Sequence, residues 1–301
     1  MDFANIIRAL RLPFITASVL PFIFGTFIAG HRFQATNFIL GLATVALAHL
    51  SANLMNDYAD SKTGVDWQDK NFYKFFGGSK LIQENKFSEK FYLYLAVSFS
   101  LLALASIVAL SVRLGLPALV LAYLAILALA WAYSSKPFRF SYRRLGELVI
   151  FICFGPVLVM GGYFIQTHKF ISAESFFLSL PFGFLTTAIL FANEIPDYPQ
   201  DSRAGKLTWV TITGQQKAFI LYDILVFFAF CSIAINIRFG FLGPVSLFSF
   251  VFILLALRAA DILRKHWSDK IKLMVSSQMT IAMHSIVSLV LISDALLWKR
   301  F

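Results

Sequence analysis

Residues 176–206 read FFLSLPFGFLTTAILFANEIPDYPQDSRAGK. The first part, 176–192, holds no charged side chain and suits the inside of a bilayer. It runs straight into Asn193, Glu194, Asp197 and Asp201, with Pro196, Pro199, Arg203 and Lys206 among them. The apolar part sets the fold class. The polar part asks what a greasy chain does with acids and bases gathered at one membrane edge.

The rest of the chain matches the apolar part. Of 301 residues, 58% are hydrophobic and 14% charged, and the mean hydropathy is +0.74. Soluble domains carry about 25% charged residues, so the chain reads as an all-α integral membrane protein forming a single unit, 1–301. Crossing a bilayer as helix takes about 20 apolar residues. Nine such stretches are expected, at roughly 13–30, 37–56, 91–111, 115–134, 145–166, 173–193, 217–237, 241–263 and 277–297. No strand-like alternation competes with them. The first stretch lacks a small-residue cleavage site and reads as a retained helix.

Most of the 26 basic residues fall near the N-terminus or in the loops after the second, fourth, sixth and eighth stretches. The excess of positive charge on the cytoplasmic side then predicts a multi-pass protein of the cell membrane. Its N-terminus and these loops are cytoplasmic and its C-terminus outside, although Lys299 and Arg300 at the tail oppose that assignment. Cys153 and Cys231 lie in apolar runs and read as core residues. The five histidines are scattered and form no metal-ligand pair.

The acids concentrate on the same face as the bases. NLMNDYADSKTGVD (53–66) sets Asn53 four residues from Asp57, Asn56 four from Asp60, and Asp57 three from Asp60. On a helix these spacings collect side chains on one face. Asn193, Asp197 and Asp201 repeat the pattern at successive fours. Glu194 falls off that face and is set aside. One cluster ends the second stretch and the other ends the sixth, which suggests a four-helix unit used twice with the clusters facing across one cavity. Carboxylates and amide oxygens are hard ligands suited to Mg²⁺, which is usually held by one or two carboxylates plus substrate phosphates. Nearby lysines and arginines can neutralise remaining phosphate charge. In the loop after the fourth stretch, Tyr133 and Lys136 stand on the same face. Arg139, Arg143 and Arg144 read partly as lipid anchors. The chain has 34 phenylalanines, whose ring faces can stabilise a cation.

The segments NDYADSKTGVD, GGSK, YSSKPF, YRRLGELVIFICFGPVLVMGGYFIQT and NEIPDYPQDSRAGKLTWVTITG together resemble the UbiA-type membrane prenyltransferases, as does RLPFITASVLPFIFGTFIAG near the start. Within that family the likeness is greatest to the 1,4-dihydroxy-2-naphthoate polyprenyltransferases. It covers about residues 8 to 215. The resemblance implies a bundle of nine helices around a central cavity open sideways to lipid. It also implies Mg²⁺-dependent transfer of a prenyl group from a polyprenyl diphosphate to an aromatic acceptor. Dihydroxynaphthoate, of menaquinone biosynthesis, is the favoured acceptor. Hydroxybenzoate, homogentisate and a glycerol-phosphate lipid stay open.

Asn53, Asp57 and Asp60 then match the first metal motif, with Asp66 as its distal acid. Asn193, Asp197 and Asp201 match the second. Asp57, Asp60, Asp197 and Asp201 would be the catalytic acids. Lys80, Tyr133, Lys136 and Lys206 match positions that contact the diphosphate. Lys80 stands where arginine is commoner, and Asp60 and Asp66 are six apart where many members have four. Beyond membrane lipid and these substrates the resemblance implies no nucleic-acid or protein partner. Two rivals read the acids otherwise. A transporter would put ionisable groups near the midplane, and a phosphatidyl-alcohol transferase would need a glycine- and alanine-spaced arginine motif that the sequence lacks. Pro196 and Pro199 are expected to kink or end the sixth helix.

Overall fold

The computed structural model describes residues 3–169 and 172–298. Twelve α-helices carry the described residues. They are α1 (Phe3–Leu10), α2 (Thr16–Phe27), α3 (Ala35–Thr63), α4 (Glu89–Leu114), α5 (Ala118–Ala132), α6 (Gly146–Ile152), α7 (Leu158–Thr167), α8 (Ala173–Arg203), α9 (Trp209–Thr213), α10 (Phe219–Arg238), α11 (Ile253–Lys265) and α12 (Lys270–Leu297). A π-helical turn, Cys153–Val157, joins α6 to α7 into one rod. A 3₁₀ segment, Pro244–Phe252, precedes α11.

The nine expected spans are not all equivalent. Seven described helices are long and apolar enough to cross a membrane, and an eighth arises if α1 and α2, bent by 40°, count as one. The stretch expected at 115–134 is α5, an apolar helix of 15 residues. At 1.5 Å per residue it covers about 22 Å, less than a hydrocarbon core of about 30 Å. The stretch from 277 starts earlier, because Asp269 caps α12 by accepting from the backbone N–H groups of Ile271 and Lys272. Lys299 and Arg300 lie outside the described residues.

The largest departure is in α8. It does not end at Pro196 or Pro199 but runs unbroken to Arg203. A proline leaves the carbonyl four residues back without its helical donor. Here a side chain replaces each missing donor. Asn236 Nδ2 donates to the Phe177 carbonyl behind Pro181 at 2.9 Å. Ser277 Oγ donates to the Ala192 carbonyl behind Pro196 at 3.3 Å. Gln215 Nε2 donates to the Ile195 carbonyl behind Pro199 at 2.8 Å. Such substitution is what lets proline persist inside membrane helices.

α8 is the most buried of the spans. The main core gathers Phe182, Leu185, Phe191 and Ile195 of α8 with Tyr222 of α10, Leu263 of α11 and Met283 and Leu291 of α12. A second cluster, with Phe22, Ile107, Leu110 and Tyr123, ties α2 to α4 and α5. Gly155 in the π turn meets Gly183 of α8, where an added Cβ would lie 2.8 Å from the Gly183 Cα. These contacts hold α8 within the bundle, and the long loop 64–88 reaches the ends of both α3 and α8.

Candidate active site

A cavity of about 120 Å³ opens between the ends of α3 and α8. From α8 it is lined by Leu190, Asn193, Glu194, Asp197, Gln200 and Asp201. These positions follow i, i+3, i+4, i+7, one continuous helical stripe, and they exist only because α8 stays helical through its prolines. From α3 come Asn56 and Asp60, and from the covering loop Asp66, Asp69, Tyr73, Phe76, Gly77, Gly78 and Lys80. Val65, Arg11, Tyr133, Lys206 and Lys270 complete the wall.

Asp57, Asp60, Asp66, Asp197 and Asp201 each have a partner from the chain itself. Arg11 Nη1 donates to Asp57 Oδ1 at 3.4 Å and to Asn56 Oδ1 at 3.3 Å. The Ser79 backbone N–H donates to Asp57 Oδ2 at 3.0 Å, and that of Gly77 to Asp197 Oδ2 at 3.0 Å. Lys80 Nζ donates to Asp66 Oδ1 at 2.8 Å and to the Asp66 carbonyl at 3.1 Å. Lys206 Nζ lies 3.3 Å from Asp201 Oδ2, and Asn56 Nδ2 donates to Asp60 Oδ2 at 3.3 Å. The Gly77–Ser79 turn is thus a bridge of main-chain N–H groups from one acidic helix end to the other.

Electrostatics follow from burial. Loss of solvent pushes the Asp66 carboxyl up to about 6, against the pull of Lys80. Burial also works against the Lys206 charge, yet Asp201 and Asp60 hold its ammonium well above the ordinary lysine range. Its Nζ stands 5.9 Å from the ring centroid of Tyr142, whose phenol burial pushes up to about 12.

The sequence-derived residues divide into three groups. Asp60, Asp66, Asn193, Asp197, Asp201, Lys80, Tyr133 and Lys206 share the cavity wall. Asp57 is buried just behind it, against the Gly77–Ser79 turn. Asn53 and Lys136 do not reach the cavity. The Asn53 amide donates to the Leu10 carbonyl at 3.4 Å, and Lys136 is exposed. Asn56 fills the place expected of Asn53, and the same i, i+4 spacing had paired it with Asp60. Glu194, set aside on spacing, lines the cavity with its Oε2 buried and lacking a hydrogen-bond partner. A strict repeat of four tracks too narrow a face, whereas the helical stripe includes i+3 and i+4 together. Arg11 and Lys270 read in sequence only as topology signals, and nothing local marks them as cavity residues.

Among the described residues, no three His, Cys, Asp or Glu side chains close around one point as a ready-made metal cage. The wall nonetheless fits a hard cation shared with a substrate. Asn193 Oδ1, Gln200 Oε1 and Glu194 Oε2 are buried acceptors without donors, which is what a hydrated divalent ion satisfies.

The sequence profile of the UbiA prenyltransferase family matches residues 18–283. The chain belongs to this family. Among curated UbiA-family relatives, the UbiA prenyltransferase domain-containing protein 1 of Xenopus tropicalis is 30% identical over 227 residues, covering 74% of this chain and 64% of that one. The 1,4-dihydroxy-2-naphthoate octaprenyltransferase of Bacillus subtilis is 29% identical over 210 residues, covering 69% and 65%. This chain thus spans just under two thirds of the length of those relatives. The apo UbiA homolog of Aeropyrum pernix superposes with a TM-score of 0.71 at 17% identity, covering 93% of this chain and 97% of its own. The Archaeoglobus fulgidus UbiA homolog bound to GPP and Mg²⁺ superposes at 0.59 and 16%, covering 96% and 99%. These solved structures share the fold of this UbiA-family chain, an integral membrane protein built from apolar helices.

Proposed function

We propose that the chain is a membrane-embedded, Mg²⁺-dependent prenyltransferase that moves a polyprenyl group from its diphosphate to a hydroxylated aromatic acid, 1,4-dihydroxy-2-naphthoate. The observation that carries this reading is the pairing of acids with cations in one cavity. Asp60 and Asp66 oppose Asn193, Asp197 and Asp201, with Lys80, Lys206 and Arg11 among them. A polyanion bridged by divalent ions needs both kinds of group. The named substrates of the Bacillus subtilis relative and the Mg²⁺ and GPP of the Archaeoglobus fulgidus homolog support it.

Asp57, Asp60 and Asp66 would hold Mg²⁺ from one side and Asn193, Asp197 and Asp201 from the other. When bound, the ion supplies charge neutralisation of the departing diphosphate. Lys80 and Lys206 then exchange their carboxylate partners for phosphate oxygens, and the Tyr133 hydroxyl adds a donor. These groups lower the barrier to breaking the allylic carbon–oxygen bond by stabilising the charge that develops on the leaving oxygen. Tyr73 and Phe76 line the same cavity, and aromatic rings there would favour positive charge on the allylic carbon. The electron-rich acceptor ring forms the new carbon–carbon bond as the carbon–oxygen bond to the diphosphate breaks, and dihydroxynaphthoate loses its carboxyl group as carbon dioxide in the same overall reaction. The prenyl tail runs between helices into lipid, from a site on the cytoplasmic side of the cell membrane.

The test is turnover by purified protein with Mg²⁺, a labelled polyprenyl diphosphate and a panel of dihydroxynaphthoate, hydroxybenzoate, homogentisate and glycerol-phosphate acceptors. Prenylated naphthoquinol is the expected product. Product with another acceptor alone would overturn the acceptor assignment. Vectorial anion uptake into liposomes with no product would overturn the enzyme.

A further inference from the structure

A second groove meets the first at Lys270. It lies between residues 71–73 of the covering loop and residues 268–274 at the start of α12, and Tyr73 and Lys270 line both spaces. Lys270 Nζ donates to Asp69 Oδ2 at 2.8 Å, and both side chains are less than one-fifth exposed. The same ammonium stands 5.1 Å from the Tyr73 ring centroid. Tyr73 in turn stacks on Phe76, with centroids 5.0 Å apart and planes 18° apart. Phe72, Ile271 and Met274 give the groove apolar walls. Other charged groups near Lys270 include Asp269, which caps α12 and pairs with Lys272, and Asp197, which lies within electrostatic reach.

These parts differ from those of the acid-lined clamp. Lys80 and Lys206 are matched to Asp66 and Asp201, acids of the two motifs. Lys270 is matched to Asp69, which belongs to neither motif and offers one carboxylate beside a flat ring. That combination, one ammonium, one aromatic face and an apolar wall, is the complement of an aromatic carboxylate. Asp69 holds the position that such a ligand's own carboxylate would take.

We propose that the junction of the two spaces is the recognition site for a carboxylate-bearing aromatic acceptor, with Lys270 as its anion anchor and Tyr73 as its stacking surface. This rests on the prenyl-transfer reading and names the acceptor's anchor within it. Lys270 leaves Asp69 for the acceptor's carboxylate, and Asp69 holds the ammonium in place when the groove is empty. Because Asp197 is close by, a ring anchored here lies beside the diphosphate clamp. Loss of the carboxylate during transfer removes the anchored charge, so the product no longer competes for Lys270.

The experiment compares full-length wild type, Lys270→Gln, Lys270→Arg and Asp69→Asn in lipid nanodiscs, with KM measured separately for each substrate. Lys270→Gln is expected to raise KM for the carboxylated acceptor at least about tenfold, the scale of losing a hydrogen bond to a charged group. KM for the prenyl diphosphate and for an acceptor analogue lacking the carboxylate stays unchanged. Lys270→Arg keeps most of the affinity, and Asp69→Asn does not raise acceptor KM. An equal rise in prenyl diphosphate KM, or no rise in either, overturns the proposal. If wild type makes no product at all, the prenyl-transfer reading fails by itself. Calorimetric binding of 2-naphthoate then decides the anchor, since equal affinity for wild type and Lys270→Gln overturns it.

Discussion

The Gly77–Ser79 turn makes a sharp prediction, because it joins both acidic helix ends through its main chain. Gly78 has φ +76°, and a Cβ built there would lie 2.9 Å from Asp66 Oδ2 and 3.3 Å from Asp57 Oδ1. Gly78→Ala therefore carries two penalties. A left-handed backbone costs an L-residue about 1–2 kcal/mol, a factor of roughly 5–30 in the population of the native turn. The methyl group also drives Asp66 away from Lys80 and intrudes on the proposed metal acids. Gly64→Ala separates the two effects. Gly64 has φ +84° with nothing within 4 Å of an added Cβ, so it carries the strain alone. The assay is prenyl transfer by purified protein over a range of Mg²⁺ concentrations, with thermal unfolding in parallel. Gly64→Ala should lose stability by the strain alone, and Gly78→Ala by at least as much. Only Gly78→Ala should lose turnover, by at least about tenfold beyond Gly64→Ala for a displaced charged hydrogen bond, and should need more Mg²⁺. Equal turnover and equal Mg²⁺ dependence in the two variants would refute the placing of this turn within the working site.

Other expectations follow from single contacts. Lys206→Met removes the cation beside Asp201 and should lower kcat/KM at least about tenfold, with Lys206→Arg partly restoring it; full activity of the methionine variant would exclude a phosphate role. Asp66 sets a pH dependence. Its carboxyl, pushed up to about 6 by burial, must lose its proton to bind metal, so the Mg²⁺ activation constant should rise about tenfold from pH 7 to pH 5. Asp66→Asn should flatten that rise. In the metal-free protein the folded state keeps this proton between about pH 4 and 6 while the unfolded chain has released it. The Asp66 contribution to stability therefore declines as pH rises through that window, and a melting series across it checks the sign. Gln215→Leu strips the donor from the Ile195 carbonyl behind Pro199 and from the Trp267 carbonyl. It should destabilise by about 1–3 kcal/mol, read as a lower unfolding midpoint.

Much of this was legible in the sequence, for reasons that particular residues make plain. Hydropathy located most of the spans because a bilayer tolerates little else, but it overcounted: seven, or eight with the bent pair, of the described helices are long enough. The fours of Asn193, Asp197 and Asp201 located a cavity wall because a helix turns short-range spacing into shared direction. The same local logic erred at Pro196 and Pro199, whose missing bonds are replaced by Ser277 and Gln215, residues far away in the chain. It also left Glu194 outside a stripe that includes it. Lys270 reaches the cavity only because α12 starts against loop 64–88, a contact between residues 201 apart. Arg11 is likewise a long-range neighbour of Asp57. Asn56 rather than the expected Asn53 lies on the cavity wall, because spacing gives a helical face but not which of two nearby amides on it meets the cavity.

The central claim is that two acidic helix ends act together on one diphosphate. Its most direct test is product formation by Asp57→Ala and Asp197→Ala, each purified alongside wild type with Mg²⁺, labelled polyprenyl diphosphate and dihydroxynaphthoate. The account predicts that each variant elutes and melts as a folded protein yet forms no prenylated product. Normal turnover by either one would contradict it.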